Sequence, residues 1–248
     1  MANWNDPQPT RTGLGASPSL NGDVVGKGAT YDQGLRRHML SIYNYMASGV
    51  LLSGVVALLF ARSGMAAQVM ATPLSWVIML APLGFVFGMS LGANRMQTST
   101  LQALFWGFCV VMGLSLSTIF LVFTGASIAT TFFATAGAFA GLSLFGYTTK
   151  KDLTGMGSFL IMGLVGILIA MVVNIFLQSS GLQMAISILG VLIFAGLTAY
   201  DTQRLKGMYY QVAGTDFAGK AIVLGALTLY LDFINMFQFL LSFLGNRN

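Results

Sequence analysis

The stretch LTLYLDFINMFQFLLSF, residues 227–243, decides the fold, because it is long and apolar yet carries an acid, Asp232, near its middle. A helix of about 20 apolar residues spans the hydrocarbon core of a bilayer. An aspartate at the centre of such a helix costs about 2.5–3.5 kcal/mol on insertion scales. The stretch therefore predicts a membrane-spanning helix that turns one face away from lipid.

The composition of the whole chain agrees with this interpretation. Hydrophobic residues make up 56% of the 248 residues and charged residues only 8%, against roughly 25% charged residues in a soluble globular protein. A soluble protein this poor in charge would expose large apolar patches. The net charge of +5 is explained by loops that face anionic lipid headgroups. We expect an integral membrane protein whose partner is the lipid bilayer, not a nucleic acid.

Seven apolar segments are long enough to span a membrane, and polar or glycine-containing stretches separate them. Their hydrophobic residues lack the two-residue alternation of a β-barrel, so helices satisfy the backbone hydrogen bonds. The fold class is therefore an all-α integral membrane protein, a bundle of seven transmembrane helices. The predicted segments are Met39–Phe60, Leu74–Gly92, Leu101–Phe123, Ile128–Tyr147, Met156–Leu177, Leu182–Tyr200 and Ala221–Leu244.

The first 35 residues differ from the rest of the chain. They are rich in Gly, Pro, Asn, Asp, Ser and Thr and contain no apolar run, a composition typical of disorder. We expect a disordered cytoplasmic tail over residues 1–35, followed by the seven-helix transmembrane domain over residues 36–248.

The basic residues predict the orientation of the bundle. With a cytoplasmic N-terminus, ten of the twelve lysines and arginines fall on the cytoplasmic side, which agrees with the positive-inside rule. Seven crossings then put the C-terminus outside. The ten residues are Arg11, Lys27, Arg36, Arg37, Arg95, Lys150, Lys151, Arg204, Lys206 and Lys220, and the other two are Arg62 and Arg247.

A stripe of mostly small or polar residues runs along the last helix at helical spacing and includes Asp232. This stripe predicts a central helix whose polar face lines the bundle interior or a water-filled cavity. Thr228 and Asn235 are its polar members next to Asp232. The full stripe is Gly225, Thr228, Asp232, Asn235, Phe239 and Ser242.

Two further charged residues stand at predicted helix ends on the cytoplasmic side. Asp201 ends the sixth helix and Arg95 ends the second. Taken singly, Asp201 reads as a carboxylate neutralised by Arg204 and Lys206, and Arg95 as an ordinary interfacial anchor. Taken with Asp232, they suggest a device in which two carboxyl groups share a proton or hold a cation between them.

The chemistry of such a device follows from its residue types. Hard cations such as Ca²⁺ prefer oxygen ligands, which carboxylate, amide, hydroxyl and carbonyl groups supply. Asp201 and Asp232 would then be transient Ca²⁺ ligands. An arginine such as Arg95 would hold a closed state by pairing with one carboxylate.

Four motifs resemble the Bax inhibitor-1 family, also called the transmembrane Bax inhibitor motif family, in its bacterial members. They are GLSLSTIFLVFTGASI (113–128), FGYTTKKDLTGMGSFLIMGL (145–164), AYDTQRLK (199–206) and LYLDFINMFQFLLSFLG (229–245). The resemblance implies a seven-helix bundle with a central last helix, in a bacterial inner membrane. It also implies a pH-sensitive Ca²⁺ leak and a link to stress or cell-death control. The family's paired aspartates fall on Asp201 and Asp232, and its latch arginine on Arg95.

Three functional hypotheses follow. The leading one is a pH-gated cation leak with Ca²⁺ as the transported ion and no other cofactor. The alternative is a regulatory protein that binds membrane proteases or other membrane partners. Catalysis is not expected, because neither Asp201, after TAY, nor Asp232, after LYL, has the Gly-x-Gly-Asp context of intramembrane aspartyl proteases. The chain's lone His38 also leaves no Ser–His or Cys–His arrangement elsewhere.

Overall fold

The computed structural model describes the backbone of residues 20–247 and the side chains of residues 33–247. Within that range the chain is helical, and its elements follow in the order α1 (Leu20–Arg62), α2 (Met65–Met70), α3 (Leu74–Gly92), α4 (Thr98–Leu116), α5 (Ile119–Val122), α6 (Gly125–Thr148), α7 (Thr154–Leu177), α8 (Ser180–Val212) and α9 (Ala218–Leu244).

Seven spans in the described part of the chain are long and apolar enough to cross a membrane. They are α3, α6, α7, α8 and α9, the part of α1 from Gln33 to Arg62, and α4 continued through α5 to Val122. The predicted all-α seven-helix membrane fold is confirmed. The tail predicted for residues 1–35 lies largely outside the described side chains and stays a prediction; α1 begins within it, at Leu20.

Helix α9 is the central helix of the bundle. In its most apolar stretch of 18 residues 61% are buried, compared with 11% in the corresponding stretches of α3 and α7. It packs against α4, α6 and α8, and it buries apolar side chains such as Leu229, Tyr230 and Met236. The outer helices expose large apolar side chains instead, for example Phe176, which is 82% exposed. Such surfaces fit contact with lipid tails.

The structure corrects the predicted end of the sixth span. Asp201 does not end the helix, because α8 continues from Ser180 to Val212. The polar residues after Tyr200, which the sequence predicted to form a loop, are helical and make hydrogen bonds. Gln203 accepts a hydrogen bond from the Leu153 N–H and donates one to the Lys151 carbonyl, and Lys206 donates to the Tyr147 carbonyl. The extension of α8 thus holds the connection between α6 and α7.

One glycine lets α6 and α8 approach closely next to Asp201. A Cβ on Gly146 would collide with the backbone of Ala199, including its carbonyl oxygen. Small residues at helix contacts allow this kind of approach in membrane proteins. The position of α8, and with it that of Asp201, therefore depends on having a glycine, which has no Cβ, at position 146.

A buried hydroxyl network joins α1, α4 and α9. The Ser53 hydroxyl lies 2.7 Å from the Cys109 carbonyl oxygen and 2.6 Å from the Tyr230 hydroxyl. Since each hydroxyl carries one proton, Ser53 donates to the carbonyl and Tyr230 donates to Ser53. Tyr230 is two residues from Asp232, so the network fixes α9 close to the acid.

The two ends of the bundle differ in charge. Seven alternating crossings place the basic residues of the described loops and helix ends at one end, here called the basic face. Its members are Arg95, Lys150, Lys151, Arg204, Lys206 and Lys220. The other end, here called the opposite face, carries Arg62 and Arg247, and there the Thr124 N–H donates to the Asn246 carbonyl.

Candidate functional site

The two interior aspartates meet. Asp201 of α8 and Asp232 of α9 face each other, with their carboxyl groups within reach of a hydrogen bond. Both are buried, with Asp201 8% and Asp232 4% exposed. An ionised carboxylate accepts hydrogen bonds and cannot donate one. A hydrogen bond between the two groups would therefore require one shared proton, with one acid O–H donating to an oxygen of the other.

Asp232 has one carboxyl oxygen without a hydrogen bond. Its Oδ2 atom is buried and has no hydrogen-bond partner among the described protein groups. A buried polar atom without a partner is uncommon and calls for an explanation. An oxygen in this position is free to accept a hydrogen bond from water or to coordinate a cation.

A cavity of about 250 Å³ lies beside the pair, between α3, α8 and α9. Asp201 and Arg204 line it from α8, Ser90 lines it from α3, and Thr228 lines it from α9. Arg204 Nη1 is 3.9 Å from Asp201 Oδ1, but the arginine side chain is 59% exposed. Solvent screens such a pair, so its contribution to stability is small.

Arg95 does not contact the pair in this structure. It follows the end of α3, its backbone N–H donates to the Gly92 carbonyl at 2.9 Å, and its residue is exposed. Among the described side chains, the ion pair at Asp201 is made by Arg204. Arg95 nevertheless follows Ser90 by five residues, just beyond the end of α3, and so lies near the mouth of the cavity.

Thr228 and Asn235, the other two predicted site residues of α9, lie about one turn before and one turn after Asp232. Thr228 lines the cavity, and its hydroxyl donates to the Leu224 carbonyl at 3.1 Å. Asn235 is half-buried and donates its amide N–H to the Leu231 carbonyl at 2.8 Å. Both side chains keep an oxygen with spare acceptor capacity within one turn of the acid.

A chain of hydroxyl groups that starts at Thr202, next to Asp201 in the sequence, was not predicted. Thr202 is fully buried, and its hydroxyl lies 2.8 Å from the Ser143 hydroxyl of α6. Ser143 in turn lies 2.8 Å from the Tyr43 hydroxyl of α1. The only hint in the sequence was the repeated GLSL pattern that contains Ser143. These contacts join three helices at the depth of Asp201 and hold α8 in register.

The acid pair is small as a metal site. In the part of the chain that the structure describes, no cluster of three or more His, Cys, Asp or Glu residues is present. Asp152 lies outside the acid pair, in the loop before α7. Thr154 donates two hydrogen bonds to its carboxyl group, and these bonds lower the pKa of that group.

Comparison with known proteins gives a consistent result. The sequence model of the family described as "Inhibitor of apoptosis-promoting Bax1" matches residues 35–248. A Rickettsia prowazekii protein described as uncharacterized is 48% identical, over 90% of this chain and 95% of its own length. The inner membrane protein YbhL of Escherichia coli is 44% identical, over 86% of this chain and 93% of its own.

Proposed function

Since the chain belongs to the family of inhibitors of apoptosis-promoting Bax1, we propose that it is a pH-sensitive cation leak of a bacterial inner membrane, with Ca²⁺ as the transported ion. The single observation that carries this proposal is the pair of buried carboxyl groups that face each other inside a membrane bundle. Ionisable residues in transmembrane helices are expensive and mark ion paths or proton relays. The inner membrane assignment follows the relative YbhL.

The choice of Ca²⁺ is supported by the donor atoms around the pair. Two carboxyl groups, the Thr228 hydroxyl and the Asn235 amide are all oxygen donors, and Ca²⁺ takes such ligands in flexible geometry. Asp232 Oδ2 is the donor that lacks a protein partner. With only two carboxylates, the ion would pass through the site and not be stored there. We propose no catalytic role and no cofactor.

In the proposed gate, the path opens or closes according to which group pairs with Asp201. In this structure Asp201 faces Asp232 and pairs with Arg204, not with Arg95. We propose that one shared proton stabilises this arrangement. When the pair loses that proton, two like charges in contact repel each other, and Asp201 is drawn to a cation. Arg95 at the end of α3 would then close the cavity by pairing with it. The leak is therefore larger at low pH and smaller at high pH.

The groups around Asp201 allow this switch. The charged neighbours are Asp232 from α9 and Arg204 from α8 itself, and α3 offers the neutral Ser90. At the next residue of α8, Thr202 contacts the Ser143 hydroxyl of α6, which in turn contacts the Tyr43 hydroxyl of α1. Only 11% of the α3 span is buried, so moving α3 exposes less buried surface than moving α8 or α9.

The orientation is part of the proposal. The basic face would be cytoplasmic, as the positive-inside rule expects, and the cavity beside Asp201 would open toward the cytoplasm. The gate would then respond to cytoplasmic pH.

The direct test is Ca²⁺ flux into liposomes that contain the purified protein and a Ca²⁺-sensitive dye, measured from acidic to mildly alkaline buffer. We expect flux above that of empty liposomes, falling as pH rises. Wild-type protein without flux at any pH would overturn the proposal. A membrane protease recovered with it in stoichiometric amount would then favour the alternative, a regulatory binding protein.

Arg95→Gln tests the latch. The variant removes the cation that closes the cavity, so its flux in alkaline buffer is expected to stay near the acidic value. Hydrogen bonds to charged groups contribute about 1.5–3 kcal/mol, which corresponds to a roughly tenfold or larger difference from wild type at alkaline pH. The matched control is Arg62→Gln, an equally exposed arginine on the opposite face. If Arg95→Gln closes at high pH as wild type does, Arg95 is not the latch.

A further inference from the structure

A second polar cavity lies at the opposite face, between the ends of α7, α8 and α9. Its volume is about 540 Å³, and its lining includes Asn174, Gln183, Ser187, Ser242 and Arg247. The Gln183 amide donates to the Ser242 hydroxyl at 3.3 Å, and the Ser187 hydroxyl lies 3.1 Å from that of Ser242. Arg247 is the charged group at this rim, and its guanidinium lies over the Phe123 ring.

This cavity and the acid pair lie on one seam, the contact between α8 and α9. Along α9, Ser242 and Asp232 are ten residues apart, which corresponds to roughly 15 Å along the helix axis. The seam is polar at both ends: the hydroxyls of Ser187 and Ser242 meet at one end, and the carboxyls of Asp201 and Asp232 meet at the other.

Two aromatic rings fill the seam between these ends. Phe194 of α8 and Phe239 of α9 stack with ring centroids 5.8 Å apart and an interplanar angle of 24°. The Phe239 ring also lies directly against Gly190, where an added Cβ would be 2.5 Å from the ring. Phe194 is buried. Phe239 is thus the large apolar member of an otherwise small or polar stripe, and it stands between the two polar regions.

We infer that Phe194 and Phe239 form the hydrophobic barrier of the path through the bundle, and that the polar cavity at the opposite face is its second aqueous mouth. Hydrophobic constrictions stop ions by excluding water, and two stacked rings offer a passing cation no oxygen donor. The inference rests on the proposed function, since a barrier needs a path. It adds a second closure, distinct from the Arg95 latch and without a titratable group.

Thiol accessibility tests the barrier without measuring ion flux. Asn235→Cys places a reporter one turn from Phe239, on the side of Asp232, in a chain whose buried Cys109 is replaced by alanine. A membrane-impermeant maleimide added from the opposite face is expected to react slowly with this cysteine. Adding Phe239→Ala is expected to accelerate the reaction at least tenfold. Phe176→Ala, which trims an exposed ring of α7, is the matched control and leaves the rate unchanged.

A second variant guards against misfolding. Phe194→Ala removes the other ring from the other helix, and it is expected to accelerate labelling in the same way in protein that elutes as a single species. Equal labelling rates with and without the rings, in well-folded variants of either phenylalanine, would overturn the barrier.

The flux assay separates this inference from the proposed function. Faster labelling together with a severalfold larger Ca²⁺ leak supports both. Faster labelling in a protein that passes no Ca²⁺ would support the barrier and rule out the calcium function. Wild-type Ca²⁺ flux with no change of labelling or flux on trimming either ring keeps the function and removes the barrier.

Discussion

Asp201→Asn is expected to give a Ca²⁺ leak that stays large at every pH. The asparagine amide can still donate a hydrogen bond to Asp232, in place of the proposed shared proton. Because asparagine never ionises, it cannot recruit Arg95, and the latch stays open. In alkaline buffer the flux should exceed that of wild type roughly tenfold, by the same reasoning that sets the size of the Arg95 effect.

Asp232→Asn is expected to change the leak in the opposite direction. Its amide would donate a hydrogen bond to an ionised Asp201 and so stabilise the charged form that pairs with Arg95. It also removes a carboxylate oxygen from the proposed ion path. Flux should fall below wild type throughout the pH range.

The two isosteric variants thus separate the gating acid from the transit acid. Asp216→Asn, in the exposed loop between α8 and α9, is the control and should behave as wild type. Asp201→Asn and Asp232→Asn variants with the same flux and pH dependence as wild type would rule out the acid pair as the sensor.

Gly146→Ala is expected to have the largest effect on stability. The new Cβ would meet the backbone of Ala199, which has no flexible end to move aside. Overpacking of a tight contact typically costs about 1–3 kcal/mol, and a backbone collision belongs at the upper end of that range. Thermal unfolding of the protein in detergent should show a clearly lower midpoint, and the flux of surviving protein should lose its normal pH dependence, because α8 carries Asp201.

Gly141→Ala is the matched control for that prediction. It lies five residues earlier on the same helix, and an added Cβ there meets nothing within 4 Å. Alanine is favoured over glycine in a helix by about 1 kcal/mol, so this variant should be unchanged or slightly more stable. Equal midpoints for the two variants would show that the contact between α6 and α8 tolerates a side chain at Gly146.

Most of the fold was predictable from the sequence because the bilayer imposes a simple requirement. A span needs about 20 apolar residues, and the predicted segments Leu74–Gly92 and Met156–Leu177 differ from the observed helices by no more than two residues. The central position of α9 was also predictable, since only a helix shielded from lipid can carry Asp232 at its middle.

The details of the site were not predictable, because they depend on contacts between distant segments. The predicted end of the sixth span, at Tyr200, was wrong because α8 continues to Val212. The contacts that stabilise this extension, such as those of Gln203, are made with the distant connection after α6. The stacking of Phe194 on Phe239 and the close approach of Gly146 to Ala199 also leave no local signature. The predicted role of Arg95 stays a prediction, because in this structure Asp201 is paired with Asp232 and Arg204.

Asp201 and Asp232 are proposed to share one proton, and the loss of that proton is proposed to close the path. Infrared difference spectroscopy during a pH titration of the same proteoliposomes used for flux tests it most directly, because a protonated carboxylic acid has its own carbonyl band. We expect this band in acidic buffer, its loss over the pH interval in which Ca²⁺ flux falls, and an altered band in Asp201→Asn and Asp232→Asn. A band that is absent throughout, or that disappears at a pH where the flux does not change, would show that the acid pair is not the pH sensor.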